Sequence, residues 1–201
     1  MIIKPLITTS NLTIQGHPIG LFYDDPIPPG TADIGGKFYR VAEMPDGKIW
    51  MCENLDYGSS GVYYNNDEQT YGWNGLKYGK LYTWNEAVAA GNAISGWHLA
   101  TEAEWNALVA AVGSNASTKL KSSTGWSSGN GTDEYGFSVF PAGQQNLGSF
   151  INLGSYAFFW TATENSSAAA RYCRFNTGTS TRMLNASKTS YVLSVRLVKD
   201  S

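Results

Sequence analysis

The side chains of this 201-residue chain best suited to acid–base, nucleophilic or metal chemistry are Glu102 and Glu104, Cys52 and Cys173, and His17 and His98. Their spacing argues against each kind of chemistry. The glutamates lie in "WHLATEAEWNAL" (97–108), where Thr101 and Glu104 form a capping box and both carboxylates complement the positive end of a helix dipole. Residues two apart on a helix diverge, so this pair does not converge on a substrate as acid and base. Cys52 and Cys173 are too few for a disulfide framework and lack clustered partners for zinc. They read as plain buried or surface thiols, with a single bridge open only in an oxidising setting. His17 falls in the N-terminal arm, and His98 reads as a packed, hydrogen-bonded residue, so no serine–histidine–acid arrangement is legible. Asp24-Asp25 and Asp133-Glu134 are isolated pairs suited to turns rather than to a hard cation. The sequence therefore predicts no catalytic residue, no metal ligand and no cofactor.

The elements that must position these groups follow from periodicity. Residues 1–32 read as a strand-forming arm, "LITTSNLTI", and a stiff spacer, "DDPIPPG", serving either docking and oligomerisation or packing on the chain's own domain. From about Asp33 to the end, residues 33–201 read as one domain. "GKFYRVAEMPDGKIWMCENLDYG" predicts a hairpin that turns at Pro45-Asp46-Gly47, with a return strand Lys48–Glu53. A Gly/Tyr/Asn loop follows, and then "GKLYTWNEAVAAG" predicts a first helix that Gly91 stops. A second helix begins at Thr101, with an apolar face of Trp105, Leu108, Val109 and Val112. No further long helix is expected. A short strand at Phe137–Phe140 precedes the alternating runs "YAFFWTATE", "ARYCRFNT", "STRMLNAS" and "YVLSVRLVKD", which predict an antiparallel sheet. A hairpin, two helices and then strands is a segregated order, which gives an α+β class.

Composition narrows the function. Charged residues are only 15%, net charge is −2, and 22 Gly and 7 Trp suit a loop-rich domain with an aromatic core. There is no Lys/Arg-rich run of the kind that nucleic-acid binding needs. No apolar stretch approaches the ~20 residues that span a bilayer, so membrane insertion is not expected. The first residues lack the features of a secretion signal, which points to a protein kept inside the cell, released by lysis or a specialised route, or trimmed.

Several segments carry a resemblance: "GKIWMCENLDYG", "YGKLYTWNEA", "GWHLATEAEWNAL", "GFSVFPAG", "LGSYAFFWTATE" and "SVRLVKD". Residues from about Asp33 to Asp200 resemble FISUMP-type domains, related to the formylglycine-generating-enzyme superfamily. The resemblance implies a C-type-lectin-like fold with two helices and a twisted antiparallel sheet, plus a short N-terminal arm. It also exposes departures. The enzymes of that superfamily bind copper through a close cysteine pair near the C-terminal strands, where this chain has only Cys173. The calcium motifs of the lectins, Glu-Pro-Asn or Gln-Pro-Asp with Trp-Asn-Asp, are missing here. An oxidase reading is thus the weakest.

The run from Gln145 to Ser190 also resembles the variable region of diversity-generating-retroelement target proteins, in which Asn codons are rewritten at their adenines. Such rewriting cannot yield Trp, Met, Lys, Glu or Gln, so the resemblance implies that Trp160, Glu164, Met183 and Lys188 are scaffold. It implies a variable ligand-binding surface at Ile151, Tyr156, Phe158, Thr161, Asn165, Ala168, Ala169, Arg171, Cys173, Thr177, Thr179, Thr181 and Asn185. The expected function is non-catalytic receptor binding by a phage or prophage tail protein, carried on the virion after synthesis in the host cytoplasm. The partner would be a bacterial cell-surface protein or glycan. The arm would join virion tail proteins or help form a homo-oligomer, a trimer being favoured. The alternative is a secreted or surface adhesin or carbohydrate-binding module of a bacterium.

Overall fold

Alternation with a period of two sets the architecture. In a computed structural model of the chain, residues 30–66 and 78–201 are described, together with the backbone of a small antiparallel pair, β1 (Thr13–Ile14) and β2 (His17–Pro18). The rest of the expected arm, the Asp24-Asp25 pair and part of the Gly/Tyr/Asn loop lie outside the described residues. The folded body begins earlier than expected. Strand β3 (Thr31–Asp33) pairs with β4 (Phe38–Glu43), so Thr31 and Ala32 belong to the sheet rather than to a spacer.

Strand β4 turns back through Pro45-Asp46-Gly47 into β5 (Ile49–Met51), as the sequence predicts. The Asp46 carboxylate closes this turn by accepting from Lys48 N at 3.1 Å and Trp50 Nε1 at 3.0 Å. Two short strands from elsewhere complete a five-stranded sheet in the order β3-β4-β5-β13-β6: β6 (Trp97–Leu99) and β13 (Leu197–Lys199). A second sheet, β11-β10-β9, comes from β9 (Tyr156–Glu164), β10 (Ala169–Asn176) and β11 (Thr181–Ser187). A third, β12-β7-β8, holds β7 (Gln144–Asn146), β8 (Ser149–Ile151) and β12 (Tyr191–Val192).

Successive residues of the larger sheets enter two different cores. Met51, Phe158, Trp160, Tyr172 and Leu197 join one, while Trp50, Phe159, Cys173, Phe175 and Val198 join the other. Buried on both faces, "YAFFW" reads as a continuous apolar run rather than a half-polar strand. In the second core Trp105 stacks on Phe159 at 5.2 Å and meets Trp50 edge-on at 5.0 Å. Such pairs each contribute about 1 kcal/mol beyond area burial.

The helices cover these cores. Helix α1 (Trp84–Ala93) starts at Thr83, whose N–H and hydroxyl both donate to Glu86 Oε2, at 2.8 and 2.7 Å. Gly91 does not stop it. The helix runs two residues further, and a Cβ on Gly91 would lie 2.9 Å from Leu99 N, so this glycine permits close helix–strand approach. Helix α2 (Glu102–Val112) has the expected capping box, and Trp105, Leu108 and Val112 are buried with Val109 half-buried. A five-residue helix, α3 (Ala116–Leu120), follows.

The expected α+β class, with its C-type-lectin-like layout of two helices over a sheet, is corrected by this architecture. Among the described residues, and apart from the β1–β2 pair, three antiparallel sheets with 11 strands make the fold β-rich, at 36% strand against 18% helix. Two well-capped helices are conspicuous in sequence, yet each is only three turns long, whereas short strands such as β3, β6 and β13 leave almost no periodic trace. The strand expected at Phe137–Phe140 is likewise reduced to one bridge, Val139 to Lys121, because Ser138 takes a positive φ of 53°.

That kink feeds the central polar contact. Arg196, fully buried, donates from Nε to Asn54 Oδ1 at 2.8 Å and from Nη1 to Met51 O at 3.0 Å and Phe137 O at 2.8 Å. Its Nη2 donates to Ser138 O at 2.8 Å. Burial lowers its pKa to about 10, so it stays charged at neutral pH. Replacing it with methionine leaves four buried acceptors without a donor, and we expect Arg196→Met to cost about 3–5 kcal/mol in chemical denaturation. Lysine should fail as well, since one ammonium cannot reproduce the fork. A methionine variant within about 1 kcal/mol of the parent would show that Arg196 does not organise the fold.

Candidate functional site

The candidate surface is built on the β9–β10–β11 sheet. Its turns are held from within. Between β9 and β10 the Ser166 hydroxyl accepts from Ala168 N at 3.3 Å and Ala169 N at 3.1 Å. Beneath the β10–β11 turn, the buried Lys121 ammonium donates to Gly129 O, Asn176 O and Gly178 O at 2.6, 3.1 and 2.9 Å. Burial lowers the Lys121 pKa, and the Trp126 ring 4.8 Å away faces the charge. The loop reaches this turn only because Gly129 lacks a Cβ, which would sit 2.0 Å from Thr177 O.

The thirteen sequence-derived positions do not gather in one patch. Asn165, Ala168, Thr179 and Asn185 are exposed, and Ala169, Arg171, Thr177 and Thr181 are half-buried. Ile151 is exposed but belongs to β8, in another sheet. Tyr156 is half-buried, stacked on Phe158 at 5.5 Å. Three positions are corrected. Phe158 (4% exposed), Thr161 (0%) and Cys173 (0%) are core residues, and a partner cannot reach their side chains. Phe158 and Cys173 sit in the two opposing cores, and the Thr161 hydroxyl donates to Arg171 O at 3.0 Å across a β-bulge. The remaining positions divide between the two ends of β10, roughly 25 Å apart at ~3.4 Å per residue.

Arg171 is already engaged. It grips Glu102 through Nε at 2.9 Å and Nη2 at 2.5 Å, and its Nη1 donates to Asn185 Oδ1 at 2.7 Å. The hydrogen bonds to Glu102 raise its pKa. This bidentate pair ties β10 to the first turn of α2, where Thr163 Oγ1 also accepts from Glu102 N at 3.0 Å. Glu102 is thus a bracket for the sheet as well as a favourable charge at the helix start.

Sequence reasoning missed what lies between the two turns. On the face carrying Phe158, Trp160 and Tyr172, the register sets Arg174 directly opposite Arg182 across β10 and β11, and Arg174 also opposite Phe158. Tyr156, Leu184 and Tyr191 pack half-buried around the same core. The Arg174 guanidinium lies 5.5 Å from the Tyr156 ring centre. Burial raises the Tyr172 phenol pKa, with Arg174 pulling it down and Tyr191 pushing it up. The signal was present as alternation, Tyr172-Arg174-Asn176 against Arg182-Leu184-Ala186, and needed only the register to be seen.

The groups suited to chemistry are placed elsewhere, and both cysteines are buried. Burial pushes the Cys173 thiol far up and the Cys52 thiol up to about 11, so neither is a thiolate at neutral pH. Among the described residues no group of three or more His, Cys, Asp or Glu is placed to hold a metal ion, and no helix is long and apolar enough to cross a membrane. A cleft of about 200 Å³ between Tyr57–Ser60 and α1 is lined by Tyr57, Gly58, two serines and three alanines, and its one carboxylate, Glu86, caps the helix.

His98 is held at both nitrogens, Nδ1 2.6 Å from Asp200 and Nε2 2.9 Å from Glu104, whose Oε1 also pairs with Lys48 at 3.2 Å.

The fold and this surface define a β-rich domain without an exposed nucleophile among its cysteines. The chain matches the family described as Fibrobacter succinogenes major domain over residues 46–199, and it belongs to that family. No curated protein and no solved structure matches it.

The His98 clasp has a pH signature. Burial disfavours the imidazolium, but the hydrogen bonds to Asp200 and Glu104 outweigh it and raise the pKa above the ordinary 6.5. Glu104 is disfavoured by burial but lowered to about 2 by the Thr101 N–H, His98 and the Thr101 hydroxyl. The His98 contribution is therefore full below pH 6.5 and lost as pH rises through the raised value, and that of Glu104 is lost as pH falls from 4.5 toward 2. Melting temperatures of the parent and His98→Gln should differ most between about pH 5 and 6 and converge in alkaline buffer. A gap that widens with alkalinity would reverse this assignment.

Proposed function

We propose that this chain is a non-catalytic recognition module that presents side chains of the β9–β11 region to a partner on a bacterial cell surface. The observation that carries the reading is the sheet itself. It is anchored in a core on each side and braced at both ends by Glu102–Arg171 and by Lys121, while Asn165, Ala168, Thr179 and Asn185 stand exposed on it. Side chains held on such a frame lose little entropy on binding, and Asn, Ser, Thr and Tyr suit adaptable contacts. The buried cysteines argue against thiol chemistry.

Diversification by a retroelement, as in a phage or prophage tail receptor-binding protein, is the form of this function that we propose. Two residues that adenine rewriting cannot create support it. Trp160 and Lys188 are buried, and Lys188 pairs with Glu164 at 2.9 Å, as scaffold should. Phe158, Thr161 and Cys173 then belong with the scaffold, so the variable set shrinks to the accessible positions.

The test is binding of labelled protein to a panel of bacterial cells, comparing the parent with a combined Asn165→Trp, Ala168→Trp, Thr179→Trp and Asn185→Trp variant. Binding should fall by at least about tenfold, as for the loss of interface hot spots, while the melting temperature shifts by only a few degrees, roughly as for surface changes. Unaltered binding by the folded variant would remove this surface from recognition. A reverse transcriptase gene and an adenine-divergent near-repeat beside the coding sequence would support diversification, and a neighbourhood without them would remove that part.

A further inference from the structure

Arg174 and Arg182 are an arrangement that a fold does not adopt for its own sake. Like charges directly opposite each other on antiparallel strands are destabilising, with Cβ atoms ~5 Å apart. Several other cations are paired with carboxylates: Arg171 with Glu102, Lys188 with Glu164, Lys37 with Asp56 and Lys119 with Glu134. Among the described residues neither Arg174 nor Arg182 has a carboxylate or any hydrogen-bond acceptor for its guanidinium, although the chain as a whole carries a net charge of −2. The phenol hydroxyls of Tyr156, Tyr172 and Tyr191, around the same face, likewise have no hydrogen-bond partner among the described residues.

We propose that this face binds an acidic sugar, with its carboxylate held between Arg174 and Arg182. The inference rests on the recognition reading above and names the ligand class. Two guanidinium forks without internal acceptors supply bidentate donors matched to a carboxylate, and a bound anion relieves the repulsion between them. Three free phenols complement the hydroxyls of a sugar, and the Leu184 side chain with the tyrosine rings offers apolar contact to a ring face. An acidic peptide would satisfy the arginines but would not need three hydroxyl partners on the sheet face, so the sugar is the better fit.

The experiment titrates the full chain with an oligogalacturonate, its methyl ester, a sulfated oligosaccharide of similar length, and polyglutamate. The oligogalacturonate should bind and weaken with salt, and its neutral ester should lose at least about tenfold in affinity, the scale of one charge-assisted contact. Arg174→Gln and Arg182→Gln should each cost a similar factor, and both variants should melt at or above the parent temperature because the repulsion is gone. Equal binding of acid and ester, or undiminished binding by both variants, would overturn the proposal. A clear drop in melting temperature on Arg182→Gln would also do so by making the arginine structural. Tighter binding of polyglutamate would replace the sugar with a peptide, and tighter binding of the sulfated probe would replace the carboxylate with a sulfate. If oligogalacturonate fails while the four-tryptophan variant still loses cell binding, only the ligand class falls. If cell binding is also unaffected, the recognition reading falls with it.

Discussion

A charge with no countercharge lies at the centre of this molecule. Arg196 is fully buried, and no carboxylate neutralises it. Four oxygens do so instead: one from Asn54, one from Met51 at the end of β5, and two from Phe137 and Ser138 in a kinked loop. Desolvating a guanidinium is expensive, so the charge is tolerated only while every one of those segments stays in place. The Phe137 and Phe159 rings, 4.9 and 5.5 Å from the guanidinium carbon, add cation–π attraction in a setting where water does not compete. One side chain therefore makes the position of β5, the 137–138 loop and the C-terminal segment conditional on each other.

The proposed recognition face inherits its rigidity from that arrangement. Phe159, beneath the Arg196 guanidinium, is the neighbour of Phe158 and Trp160, which point the other way into the first core. The middle of β9 cannot slip without exposing large aromatics on one side and breaking the arginine's setting on the other. Strand β10 is locked to it in register, and Arg171 bolts β10 to α2. One stretch of one face gathers two arginines in mutual repulsion and three phenol groups that have no hydrogen-bond partner among the described residues. Two like charges set opposite each other on such a frame are informative, because local rules tend to be broken where a ligand restores the balance.

Much of the frame was legible in the sequence, and for definable reasons. The capping box at Thr101, the Pro45-Asp46-Gly47 turn and the limits of β9 are written in local chemistry, whereas the second box, at Thr83, emerged only with the structure. The class of the fold was not, because β3, β6 and β13 are three residues each and acquire strand character only by pairing across the chain. Neither Lys121 nor Arg196 announces its burial in sequence, because their partner oxygens come from up to 57 and 145 residues away, respectively. The candidate surface was half legible for a related reason. Residue type picks out Asn165 and Thr179 in the turns and Asn185 on β11, but it cannot distinguish Thr161 or Cys173, which the alternation sends inward. Nor does type reveal Arg174 and Arg182, whose meaning arises from register alone.

The account holds that a partner meets a surface already rigid before contact. Amide hydrogen exchange of the full chain, free and with bound oligogalacturonate, measures this directly. The account predicts slow exchange through the middle of β9 and β10 in the free protein, with added protection on binding confined to the stretches around Arg174 and Arg182. Rapid exchange through β9 and β10 that slows only on binding would contradict it, since the frame would then be made by the ligand rather than offered to it.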